Sequence, residues 1–404
     1  MNTPALALAT RLSVVQPSPI IAVANMARTM KEAGENVVSL SIGVPGFLPP
    51  AHVYEAAQAA VKQDTGDYLP GRGSKALVEN FRKAMADRGF EYAETEIAAQ
   101  SGGKGMLFNL LLALVNEGDE VIIPAPYWAS YPEMVKIVGG KPAIVQATAA
   151  QNYKITAAQL EGAITPKTKL FIFNNPSNPT GMLYTGDEVK ALAAVLEKHP
   201  HVGILSDDIY DMLVFTGDKR AAHLLDYAPS LKSRTLLLQS VSKTYGMPGW
   251  RVGLVAGPKP VVDALLTLTS QSSTNLPGVT MAAAAAAFGG SHEFLNEQLT
   301  RLVKQRDIAL AALATMPGIT CPKPEGAFYV FPQIKACFGK TSAGGTKLEN
   351  DVSFCQALLK EAKVAVVPGG AFGDVGAIRI SYAGKESELV DGMARLARFV
   401  DGLK

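Results

Sequence analysis

Cysteine is scarce in this 404-residue chain: there are three, Cys321, Cys337 and Cys355, far apart in sequence. An odd, scattered set suits neither a disulfide framework nor the paired spacing of a zinc site, so a reducing cytoplasm and no bound metal are expected. Clusters of lysine and arginine are missing too. With 38 basic against 36 acidic residues the formal net charge is +2, which gives no case for nucleic acid. No apolar run approaches the ~20 residues of a membrane span, so no membrane partner is expected. The start, Met1-Asn2-Thr3-Pro4, lacks a basic segment before its short Ala/Leu run, and no signal peptide is expected. Internal repeats are absent, as is a GxGxxG turn followed by an acidic residue about 20 positions on, which argues against a dinucleotide-binding dehydrogenase.

What the chain does have is length and apolar content. At 48% hydrophobic and 18% charged residues it reads as a globular protein of enzyme size, too long for one ordinary core. Short apolar runs at 120–124, 169–173, 202–206, 235–241 and 252–256 alternate with helical patterns such as 106–115, 187–197 and 260–269. That alternation predicts an α/β fold with a mostly parallel sheet covered by helices on both faces. The remainder mixes short strands at 327–331, 364–367 and 377–382 with helices, which is α+β in character. The expected organisation is an N-terminal arm over 1–46, a large domain over 47–289 and a smaller one over 290–404, the arm joining the smaller one. The Gly-, Lys- and Thr-rich stretch 338–350 is expected to be a mobile surface loop.

The most informative stretch is Ser240-Val241-Ser242-Lys243-Thr244-Tyr245-Gly246-Met247-Pro248-Gly249-Trp250-Arg251. A lysine just past a strand attacks a carbonyl only when deprotonated, and desolvation or neighbouring cations lower its pKa enough for that. Ser240, Ser242 and Arg251 can supply donors to a phosphate held beside the amine, the arginine by a forked contact. Together they suggest pyridoxal phosphate; the alternative is a surface lysine with a structural arginine.

Other strand ends carry polar groups where ligands bind in such sheets. Ser101-Gly102-Gly103-Lys104-Gly105 precedes a helix whose first amides can hold a phosphate, although many glycine turns hold none. Trp128, in Pro126-Tyr127-Trp128, can stack on a flat ring or pack in a core. Asn174-Asn175-Pro176-Ser177-Asn178-Pro179-Thr180-Gly181 specifies a tight turn that fixes Asn178. Asp207, at the mouth of an apolar sheet, needs a cation partner such as a protonated pyridine nitrogen. Asp208 beside it can cap a following helix, and Tyr210 can donate to a phenolic oxygen. Arg379, between Ile378 and Ile380, is either a carboxylate grip or an edge-strand surface charge, and taken by itself it reads as the latter.

Taken in order, SGGK, PYW, NNPSNPTG, SDDIY, SVSKTYGMPGWRVG and IRISYA resemble the fold-type I pyridoxal-phosphate aminotransferases of class I/II over nearly the whole chain. The Tyr131-Pro132-Glu133-Met134-Val135 string makes the chain similar to the bacterial subgroup that includes aspartate and prephenate aminotransferases. The resemblance implies that Lys243 binds the cofactor covalently and moves the substrate α-proton, and that Asp207 pairs with the pyridinium. It implies that Tyr210 and Asn178 bond the phenolic oxygen, that Trp128 stacks on the ring, and that Gly103, Lys104, Ser240, Ser242 and Arg251 hold the phosphate. Arg379, with Asn178 and the Gly43 backbone, becomes the α-carboxylate grip. Tyr68 reaches the phosphate of a neighbouring subunit, so a homodimer with shared sites is implied.

Several positions depart from that pattern. Gly43-Val44-Pro45-Gly46-Phe47 lacks the two acids of the GEPDF seen in relatives, Ile20 stands where dicarboxylate enzymes often have threonine, and Val14 stands where prephenate enzymes have arginine. Lys104, which in the subgroup can reach a distal carboxylate, is kept. Arg72, between two glycines, either supplies a missing charge or lies on the surface. A lyase on the same scaffold is the nearest alternative to amino transfer.

Overall fold

The structure, a computed structural model, describes residues 6–63 and 66–404. The Met1-Asn2-Thr3-Pro4 start therefore lies outside the described residues. After a short strand β1 (Val38–Ser39), the chain builds β2 (Ile97–Ser101), β3 (Glu120–Ala125), β4 (Lys141–Gln146), β5 (Thr168–Asn174), β6 (Gly203–Asp207), β7 (Thr235–Ser240) and β8 (Val252–Ala256). The last seven form one sheet in the order β2-β8-β7-β6-β5-β3-β4. All its pairings are parallel except those of β8, which runs antiparallel to both neighbours.

The strands read as unbroken apolar runs because both faces are buried. Along β5, Leu170 and Ile172 point into one core and Phe171 and Phe173 into the other, as the period of two requires. Two strands escape the sequence pattern. The β2 run Ile97-Ala98-Ala99-Gln100-Ser101 has one β-branched residue, and β4 carries Pro142, which the edge position tolerates.

A second core packs β9 (Tyr329–Val330), β10 (Val364–Ala365) and β12 (Ile378–Ser381) against the long helix Phe294–Ala314 and the last helix, Glu386–Asp401, while Val367 of β11 (Val367–Pro368) is buried with Phe331 and Phe372 in a separate cluster. Strands β11, β12 and β9 make an antiparallel sheet with β12 in the middle. Strand β1 pairs in parallel with β10, and Val38 and Leu40 are buried in this same core. The helix that leads into β1, Pro19–Glu32, has Ser18 as its N-cap and proline at its first position. The 338–350 stretch is tied down rather than free: Leu348 and Ser342 are buried, and the Ser342 hydroxyl donates to Glu361 at 2.7 Å. Among the described residues, no helix is long and apolar enough to cross a membrane, and no cluster of side chains could hold a metal.

Candidate active site

The carboxyl ends of β5, β6 and β7 open onto one cleft. Asn174 closes β5, and its side chain does two jobs: Nδ2 donates to the Asp207 carbonyl at 2.8 Å, and Oδ1 accepts the Asn178 amide at 3.0 Å. The Asn-Pro turn, with cis bonds at Asn175–Pro176 and Asn178–Pro179, is thereby fixed to the end of β6. Asp207 ends that strand fully buried. Its Oδ2 accepts the Tyr131 hydroxyl at 2.5 Å, whereas Oδ1 has no hydrogen-bond partner among the described residues. Burial raises its pKa to about 6, against the pull of the Tyr131 hydroxyl, the Ile209 amide and Lys243.

Strand β7 passes into a single helical turn, Val241–Thr244, capped by Ser240, whose hydroxyl accepts the Ser242 amide at 3.1 Å. Lys243 projects from that turn and donates to the Gly43 carbonyl at 2.6 Å. Burial, helped by the charges of Arg379 and Arg251, lowers its pKa from 10.5 to about 8. A useful fraction of the amine is therefore neutral near physiological pH.

Next to it lies a cradle for an anion. The helix Gly102–Leu114 starts with its first amides uncapped by the Ser101 side chain. Arg251, in the left-handed region at φ 56°, lies across that helix start and is steadied by donation to the Pro248 carbonyl at 3.0 Å. Gly102 has φ +74°, and a Cβ there would fall 2.6 Å from Arg251 Cζ. Only glycine leaves this cradle open. The Ser240 hydroxyl is 2.8 Å from that of Ser242, at the same place. Lys104 Nζ sits 4.9 Å over the Trp128 ring, its pKa lowered by partial burial and then by Arg251.

Arg379 arrives from β12. The surface-charge reading of it is wrong: β12 is the central strand of its sheet, and the side chain is 1% exposed. Its guanidinium is sandwiched between the rings of Tyr329 and Phe372, 4.6 and 4.8 Å from their centroids. Nη1 donates to Asn178 Oδ1 at 3.1 Å and Nη2 to the Ser41 carbonyl at 2.6 Å, while Nε has no partner among the described residues.

Two cavities meet here. One, of about 300 Å³, is lined by Gly103, Lys104, Ser240, Ser242 and Arg251; the other, of about 170 Å³, by Gly43, Asn178, Tyr210 and Arg379; Trp128, Asp207 and Lys243 border both. Lys243 and the residues assigned to cofactor and substrate are thus brought to this cleft except Tyr68, which is 88% exposed. A wider cleft, about 1170 Å³, lies by Asp87, Arg220 and His292. Its Arg220 is engaged by Asp211 at 2.7 Å.

Three side chains that matter were not picked out. Tyr131 lies three residues beyond Trp128. Asn174 lies inside the Asn-Pro string, which gave its only signal. Tyr329 borders the smaller cavity and bonds Tyr210, and no motif marks it. Two expectations are corrected as well. Asp208 caps no helix: it is buried, accepts the Ser206 hydroxyl at 2.6 Å and faces His223 at 3.4 Å and Arg88 at 3.9 Å. Burial first of all raises its pKa to about 7. Arg72 neither enters the cleft nor lies free; it donates to the carbonyls of Thr95 at 2.9 Å and Ile97 at 2.6 Å, strapping its loop to the start of β2.

A buried amine, a carboxylate with one open oxygen and an anion cradle thus sit together at the mouth of a helix-covered sheet, a grouping suited to group-transfer chemistry. The family model for aminotransferase class I and II matches residues 35–396, and the chain belongs to that family. It is an aminotransferase of the fold-type I architecture.

It is 44% identical over 400 residues to the aspartate/prephenate aminotransferase of Cereibacter sphaeroides, covering 98% of this chain and 99% of that one. It is 41% identical over 396 residues to the aspartate aminotransferase of Geobacillus stearothermophilus, with 98% and 99% covered. The crystal structure of the Rhizobium meliloti aspartate aminotransferase superposes with a TM-score of 0.95 at 38% identity, covering 99% of this chain and 100% of that one. The Thermus thermophilus aspartate aminotransferase with maleate gives 0.90 at 32%, covering 97% and 99%.

Proposed function

We propose that the enzyme passes the amino group of an L-amino acid, with aspartate or glutamate as one partner, to a 2-oxoacid in two half-reactions, using pyridoxal 5'-phosphate. The observation that carries this is the convergence of Lys243, Asp207 and the Gly102–Arg251 cradle on one cleft. The residues present fit the cofactor: the open Asp207 Oδ1 suits a pyridinium N–H, and the cradle suits a phosphate. When bound, the cofactor supplies an electron-poor ring that spreads the charge left by a departing α-proton.

The chain's own groups do the rest. Lys243 Nζ would hold the cofactor and, once displaced by the substrate amine, would act as the base that takes the α-proton and the acid that returns it. Asp207, kept in place by Tyr131, holds its charge against the pyridine nitrogen. Gly103 and Lys104 amides, Ser240, Ser242 and Arg251 hold the phosphate, Trp128 covers the ring, and Asn178 and Tyr210 direct the phenolic oxygen. Arg379, with Asn178 and the Gly43 backbone, grips the α-carboxylate.

Lys104, on the cradle side of the cleft, offers a charge for a distal carboxylate, and Ile20 lines the substrate-side cavity with an apolar wall. Dicarboxylates are therefore the expected donors, while the second substrate need not be charged. Val14, in place of an arginine, makes prephenate the poorer of the candidate acceptors. Exposed Tyr68 fits a homodimer in which it reaches the neighbouring phosphate, and the cytoplasm fits three free cysteines. The arm and residues 290–404 are taken as the smaller domain, and 47–289 as the larger.

Half-reactions followed by absorbance test the reading. The purified protein is expected to be yellow, to lose that band with aspartate or glutamate, and to regain it with a 2-oxoacid. Release of ammonia and a 2-oxoacid without an acceptor would identify a lyase instead.

A further inference from the structure

Tyr329 sits where three parts of the site meet. It is buried at the end of the substrate-side cavity, with its hydroxyl 3.0 Å from that of Tyr210 and its ring face 4.6 Å from the Arg379 guanidinium carbon. A Cβ on Gly43, whose carbonyl accepts Lys243, would run into the Tyr329 hydroxyl. The charged groups around the pair are Arg379 from β12, Asp207 from β6 and Lys243 from the turn after β7.

Proton counting gives the pair a direction. A tyrosine hydroxyl has one hydrogen and two acceptor lone pairs. If Tyr210 gives its hydrogen to the cofactor's phenolic oxygen, it can only accept from Tyr329. Donation by Tyr329 then polarises the Tyr210 hydroxyl and strengthens its own donation, as in any chain of hydrogen bonds.

We infer that Tyr329 is a positioning residue for both ends of the reacting pair: its hydroxyl orients Tyr210 toward the cofactor, and its ring holds Arg379 for the substrate carboxylate. This rests on the cofactor reading above. It separates two contributions that one side chain makes, so two substitutions distinguish them.

The test is an absorbance titration of the purified holoenzyme against pH, with half-reaction kinetics on aspartate. Weaker donation to the phenolic oxygen favours its protonated form, so in Tyr329→Phe the pH at which the bound cofactor changes colour should rise by roughly half a unit to one unit. The ring remains over Arg379, and KM should stay within about twofold. Tyr329→Leu should show the same rise and also lift KM by about tenfold. Tyr210→Phe should move the midpoint further, and adding Tyr329→Phe to it should cause no extra shift, because the effect is relayed through Tyr210.

An unchanged midpoint in Tyr329→Phe, or equal additive shifts in the double variant, overturns the inference. A wild-type protein with no titrating band would remove the cofactor reading beneath it, which is a separate failure seen before any variant is made.

Discussion

The Tyr131 hydroxyl donates to one oxygen of Asp207 at 2.5 Å, and the other oxygen of that buried carboxylate has no partner among the described residues. One side of the acid is thus fixed by the protein, and the other is left to a ligand. Tyr131→Phe removes a hydrogen bond to a charged group, worth about 1.5–3 kcal/mol. Asp207, already at about 6, should then hold its proton at still higher pH. Cofactor affinity, measured by equilibrium dialysis at neutral pH, should fall by about 10- to 100-fold.

Lys243→Ala should leave the circular dichroism spectrum unchanged and abolish turnover. Borohydride reduction of the wild type, followed by peptide mapping, should place the cofactor on Lys243. Near-normal turnover in the variant contradicts the assignment.

The same lysine predicts a pH signature in the cofactor-free protein. Its folded pKa, about 8, lies below the ordinary 10.5, so between those values the unfolded chain binds the proton and the folded one does not. Stability from this group therefore rises with pH across that window and is lowest beneath it. Lys243→Met should be the more stable protein at pH 7, by up to about 3 kcal/mol, with the gap closing toward pH ~10.5 in urea titrations. A gap that does not change with pH would count against the lowered pKa.

Arg379→Leu removes a buried, hydrogen-bonded charge proposed to grip substrate, a change that costs about 2–5 kcal/mol. Loss in kcat/KM should be on the order of 100-fold or more. Arg379→Lys should recover little, because an ammonium cannot reproduce the fork held between Asn178, Ser41 and the two rings.

Gly102→Ala and Gly105→Ala make a matched pair on one helix. At Gly102 the positive φ and the Arg251 side chain both oppose a methyl group, and the cofactor Kd should rise by about tenfold or more. At Gly105 an added Cβ meets no heavy atom within 4 Å among the described residues. That substitution should stabilise the helix by about 0.5–1 kcal/mol and leave the Kd unchanged.

Much of the site was legible because its residues sit at strand ends inside short strings. Lys243, Asp207 and Asn178 each follow an apolar run that the sheet's two buried faces demand, so local pattern and position coincide. Contacts made across the chain were not legible. Tyr329 meets Tyr210 over a separation of 119 residues, and nothing near either announces the other. Arg72 and Arg379 show the same limit: both look like surface arginines, yet one is bound by carbonyls around β2 and the other lies in a central strand. Strand β4 was hidden by Pro142, which only its edge position permits.

Arg379, proposed to read the α-carboxylate, is rooted in the small sheet, and Lys243, proposed to do the chemistry, in the turn after a strand of the large one. Every amino acid presents that same handle, whatever its side chain. A change that re-angles one core against the other should therefore tax all donors alike, whereas altered preference among them should come from elsewhere in the substrate-side cavity, at Ile20.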